Sequence, residues 1–105
     1  MMIFMRLSDF ERETLKHAAM ESFGGDVCVR LFGSRVDDSR KGGDIDLLVD
    51  TKQTDPAAIA KAHTRFVSSV YARLGEQKLD VLIDYPGRVA HPQIFRIARQ
   101  DGVVL

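Results

Sequence analysis

Two aspartates separated by one residue, Asp44 and Asp46, open the apolar run Asp44-Ile45-Asp46-Leu47-Leu48-Val49. On a strand, residues two apart lie about 6.6 Å from each other along the backbone and project from the same face, so their carboxylates can converge on shared cations. The pair alone says little, because the chain holds eleven Asp in 105 residues, enough to supply about one Asp-x-Asp by chance. Its surroundings say more. The preceding β-rich run ends in Phe32-Gly33-Ser34, where a glycine lets backbone N–H groups approach a phosphate and a serine adds a hydroxyl donor. Arg35 follows directly and is within reach of the same phosphate, although a surface arginine is an equally good reading. A third acid, Asp80, lies near the start of a later β-rich run. At an effective dielectric of 20, two like charges 4 Å apart cost about 4 kcal/mol, and divalent cations reverse that sign. Two oxygen-ligated metals about 3.5 to 4 Å apart stabilise the attacking and leaving oxygens of in-line phosphoryl or nucleotidyl transfer.

The elements that must position these residues follow from periodicity. Ser8 and Glu11 form a capping-box pattern, and Leu15, Ala18, Ala19, Ser22 and Phe23 continue at helical spacing, which predicts a helix over 9–23. Gly24-Gly25 offers it a left-handed cap. Val27 to Phe32 is the first strand, and 33–43 is dense in turn residues and reads as a loop. Residues 44–49 form the second strand, with Asp44, Asp46 and Leu48 on one face and Ile45, Leu47 and Val49 on the other. Asp55-Pro56 starts a helix whose stripe of Ile59, His63, Phe66, Val67, Val70 and Leu74 runs to Gly75. Leu79 to Ile83 is the third strand, with Asp80, Leu82 and Asp84 on one face. Pro92 to Gln100 is a last short helix, expected to bury Ile94, Ile97 and Ala98, and Gly102 to Leu105 has the composition of an edge strand. The order predicts an α/β (α+β) class, a small mixed β-sheet covered by helices, in one domain over 1–105.

Composition narrows the function. An apolar fraction of 45% with 29% charged residues is ordinary for a globular chain, and Lys plus Arg balances Asp plus Glu at 15 each. No global cationic field is present to attract nucleic acid or an anionic membrane. The run Met1-Met2-Ile3-Phe4-Met5 is too short for a signal-peptide core, and the lone Cys28 forms neither an intrachain disulfide nor a zinc motif. A soluble, cytoplasmic protein is expected.

The string GSRVDDSRKGGDIDLLV, with FGS at the strand end, nine residues between Ser34 and Asp44, and the later strand KLDVLID, resembles the minimal nucleotidyltransferase family of the DNA polymerase beta superfamily. The resemblance covers nearly the whole chain and implies the nucleotidyltransferase fold. It also implies that Gly33 and Ser34 hold the triphosphate of ATP and that Asp44 and Asp46 ligate two Mg²⁺ ions, for which Mn²⁺ can substitute. Asp80 would complete the site of the metal nearest the attacking hydroxyl and help that hydroxyl lose its proton. Members of this size are similar to antitoxins paired with a helical HEPN-type toxin, which implies transfer of AMP from ATP to a tyrosine of that partner. The sequence departs from the common pattern at Asp37 and Asp38, which stand where a small residue is usual, and at Gly43, which replaces a frequent Ser.

Other residues have plainer readings. Asp84 sits by the Pro86-Gly87 turn and reads as a turn cap, Arg40 and Lys41 as solvated loop charges, and Cys28 as a small buried hydrophobe. His63 belongs to the core or an interface, His17 and His91 have no partner spacing, and Tyr71 and Tyr85 are expected to pack. Two rival functions remain open: a binding module that silences the partner by occlusion, with a vestigial nucleotide site, and transfer to a small molecule. The second is disfavoured because a chain this short leaves little to build an acceptor pocket.

Overall fold

The structure, a computed structural model, describes residues 7–33, 45–88 and 93–105. Helix α1 (Asp9–Phe23), strands β1 (Cys28–Phe32) and β2 (Ile45–Asp50), helix α2 (Pro56–Leu74), strand β3 (Leu79–Asp84), helix α3 (Gln93–Asp101) and strand β4 (Val103–Val104) follow in chain order. They form a small mixed α+β domain. The four strands lie in the order β3-β2-β1-β4, with β2 parallel to β3 and the other pairs antiparallel.

Local chemistry sets the helix boundaries. Ser8 Oγ accepts from Glu11 N–H at 3.1 Å while Ser8 N–H donates to Glu11 Oε1 at 2.9 Å, so the capping box satisfies two donors at the start of α1. Asp55 Oδ1 accepts from Ala57 N–H at 3.2 Å, and Pro56 supplies the fixed φ of a first helical residue. At the end of α1, Gly24 takes φ 108° but ψ 164°, so it is not the left-handed helical cap the sequence suggested. Its N–H closes the last turn on Met20 O at 3.0 Å, and Val27 N–H closes a turn on Gly24 O at 3.3 Å before β1 begins.

Period-two alternation divides the sheet into two faces. Val29, Leu31, Ile45, Leu47 and Val49 pack with Leu15, Ala18 and Ala19 of α1 and Phe66 and Val70 of α2. On the opposite face Phe32 and Leu48 pack with Ala98 of α3, flanked by Leu82 and Phe95. Of the stripe predicted for α3, only Ala98 is buried; Ile94 and Ile97 are 42% and 40% exposed. The correction has a geometric cause, since a helix laid across one face of a sheet buries a narrow stripe, and here Phe95 and Ala98 occupy it. Cys28 is half-buried, not buried, because β1 begins there and β4 opposes only Arg30 and Leu31.

The join between α3 and β4 depends on Gly102. Its N–H donates to Ala98 O at 2.9 Å, and a Cβ there would lie 2.2 Å from that same oxygen and 3.3 Å from the Arg30 Cβ. The carbonyl belongs to helix backbone and cannot rotate aside. Gly102→Ala is therefore expected to destabilise by about 1–3 kcal/mol, read as a fall in the urea midpoint with unchanged slope.

Candidate functional site

The α3 face of the sheet carries four acidic side chains in register. Asp46 of β2 pairs with Asp80 of β3, and four residues further along Asp50 pairs with Asp84. Partners in a parallel register share a face about 4.8 Å apart, so the topology builds two carboxylate pairs, separated by Leu48 and Leu82. The two ends are treated differently.

At the Asp50 end the pair is neutralised. Arg99 of α3 donates Nη1 to Asp50 Oδ2 at 3.2 Å and bridges Asp50 Oδ1 and Asp84 Oδ2 through Nη2. Arg30 Nη1 joins Asp50 Oδ2, and Arg88 Nε donates to Asp84 Oδ1 at 2.9 Å while stacking 3.7 Å from the centroid of Phe95. Burial pushes the Asp84 carboxyl up, but hydrogen bonds and charge from Arg88 and Arg99 outweigh it and hold it below its ordinary value. The hydrogen bonds that Arg99 donates to Asp50 and Asp84 push its guanidinium up. Asp84 is thus a strand residue in an ion-pair ladder and not a turn cap, a correction that only the placement of α3 could supply. With its folded pKa depressed, Asp84 contributes stability above its unfolded value of about 4 that is lost as pH falls through the lowered value. Arg99→Met should cost about 1 kcal/mol at neutral pH, since the guanidinium is partly exposed and screened. It should also flatten the loss of stability in acid titrations monitored by circular dichroism.

At the Asp46 end a backbone turn lies against one carboxylate. Phe32 is the register partner of Asp46 across β1–β2, and the next residue, Gly33, turns with φ 80°. A Cβ on Gly33 would sit 2.2 Å from Asp46 Oδ2. Glycine is required twice at this point, for the positive φ and for the space that the carboxylate fills. Asp46 is half-buried beneath this turn and Asp80 is exposed beside it. The structure therefore brings together Gly33, Asp46 and Asp80. Ser34, Arg35 and Asp44 lie outside the described residues, as do Asp37, Asp38, Arg40, Lys41 and Gly43.

Among the described residues no group of three or more His, Cys, Asp or Glu is placed to hold a metal; Asp46 and Asp80 supply two carboxylates. Oxygen donors of this kind suit Mg²⁺ or Mn²⁺, and the Gly33 turn lies against one of them. No histidine enters the group: His63 is half-buried on α2, beside an apolar groove bordering β3. Sequence reasoning missed the Arg30, Arg88 and Arg99 ladder. The signal available was Asp50 four residues after Asp46, matched by Asp84 four after Asp80.

No protein-family model and no curated protein matches the chain. No helix among the described residues is long and apolar enough to cross a membrane.

Proposed function

We propose that the chain is a Mg²⁺-dependent nucleotidyltransferase of the minimal nucleotidyltransferase type, acting in the cytoplasm. It transfers AMP from ATP to a hydroxyl, a tyrosine of a helical HEPN-type toxin, and so serves as the antitoxin of the pair. The observation that supports this reading best is the direct register pairing of Asp46 with Asp80 on the parallel strands β2 and β3, with the Gly33 turn lying against the Asp46 carboxylate.

In this reading Asp46 and Asp80, with Asp44, hold the divalent cations, which when bound would offset carboxylate repulsion and polarise the phosphoryl oxygens. Gly33, with Ser34 and Arg35 as further donors, would contact the triphosphate. The hydroxyl oxygen attacks the α-phosphorus of ATP, the bond to the β-phosphate breaks, and pyrophosphate departs. Asp80, exposed at the strand edge, accepts the proton that the hydroxyl loses.

The test is to incubate the protein with ATP, Mg²⁺ and the helical protein encoded beside it. The expected result is a partner heavier by one or more AMP groups, with pyrophosphate released in equal amount. Silencing of the partner with no mass change would replace this reading with occlusion.

A further inference from the structure

Strand β3 is an edge of the sheet, and the direction of its backbone groups can be assigned. Ile45 N–H donates to Lys78 O and Thr51 N–H to Asp84 O, both at 3.1 Å, so the even-numbered residues along β3 turn their backbone toward β2. Alternation then points the N–H and C=O groups of Leu79, Val81 and Ile83 away from the sheet. On the face shared with α2, Val81 and Ile83 are half-buried and border a groove of about 380 Å³ completed by Pro56, Ile59, Ala60 and His63. Among the described residues no strand pairs with this edge, and a strand edge beside an aliphatic groove is a surface suited to accept another strand.

We propose that the occupant is a second copy of this chain, with β3 antiparallel to its copy and the two-fold axis at Val81. Directly opposed antiparallel residues share a face, so the axis must pass through a residue and only a few registers exist. An axis at Asp80 sets that carboxylate against its own copy, and an axis at Leu82 sets Asp80 against Asp84 of the second copy. The axis at Val81 places Lys78 opposite Asp84 of the second copy, Leu79 opposite Ile83, and Asp80 opposite Leu82. It is the one register of the three that opposes unlike charges. Val81 then exchanges both backbone hydrogen bonds with its copy. Arg88 and Arg99 each take one oxygen of Asp84, and a carboxylate has about four acceptor positions, so the carboxylate retains capacity for the second copy's lysine. The result is a self-complementary interface in a continuous eight-stranded sheet, with the aliphatic groove covered by the copy of α2. The register sets Asp80, the base of the proposed reaction, opposite Leu82 of the second copy, and the dimer is read without any measurement of activity.

Light scattering across a concentration series should show the mass rising toward twice 11.8 kDa. In the dimer the amides of Leu79, Val81 and Ile83 should exchange more slowly as concentration rises. Lys78→Glu and Ala60→Glu alter exposed positions and should leave the far-ultraviolet circular dichroism unchanged. Each should weaken the dimer by roughly tenfold or more, as expected for a like-charge pair or a charge forced against an apolar groove. The proposal is overturned by a protein that stays monomeric at the highest soluble concentration, or by a dimer in which those three amides are not slowed. A dimer indifferent to both substitutions overturns it as well, and so does a monomer whose β3 amides slow only when another protein is added.

Discussion

Asp80→Asn is expected to reduce AMP transfer by about 10²–10⁴-fold, the usual contribution of a positioned general base, while changing ATP affinity far less. Asp80 is exposed on β3, so the isosteric amide should fold normally and shift stability by no more than about 0.5 kcal/mol. The loss should appear in the turnover number and in kcat/KM together, the pattern of an interaction made in the transition state. A comparable fall in ATP affinity would reassign Asp80 to nucleotide binding. The same variant separates the two functional classes. If silencing requires modification of the partner, the variant fails to silence; if occlusion suffices, it silences as well as the wild type. Equal silencing by both proteins with no mass change in the partner would end the enzymatic reading.

The parts of the fold that were legible in the sequence are those governed by short-range chemistry. The box at Ser8 and Glu11 and the Asp55-Pro56 start fixed both helix beginnings, and the alternation of Ile45, Leu47 and Val49 against Asp46 and Leu48 assigned the faces of β2 correctly. What could not be read was decided by packing between distant segments. Ile94 and Ile97 have a helical apolar pattern, yet their exposure depends on how α3 rotates over Phe32 and Leu48. Asp84 resembles a turn residue until Arg99, fifteen positions later, is placed over it. For the site, strand period and parallel pairing bring Asp46 and Asp80 together, whereas the contact of Gly33 with Asp46 needs the β1–β2 register. The sequence reads the glycine as a phosphate contact, and the structure adds the Asp46 carboxylate as its close neighbour.

Adding Mg²⁺ or Mn²⁺ should raise the melting temperature substantially, and two variants should reduce that rise while differing in their effect on the metal-free protein. A ligand that binds only the folded state at a hundred times its dissociation constant stabilises by about 2.7 kcal/mol, which for a domain of this size corresponds to on the order of 10 °C. Replacing Asp44 and Asp46 together with Asn removes ligand charge, and it also removes the repulsion between Asp46 and its register partner Asp80. The metal-free double variant should therefore melt no lower than the wild type. Gly33→Ala leaves every carboxylate in place but forces a Cβ into the space of Asp46 Oδ2 at a backbone φ of 80°. That conformation costs an L-residue about 1–2 kcal/mol, and relief requires the Asp46 carboxylate to move. Its metal-free melting temperature should fall, and its metal response should shrink because the displaced carboxylate no longer aligns with Asp80. Differential scanning calorimetry with and without Mg²⁺ on the three proteins reads both quantities. If the response survives the double Asn replacement, the cation binds elsewhere. If Gly33→Ala melts like the wild type and keeps its full response, the close approach of the turn to Asp46 does not position that carboxylate.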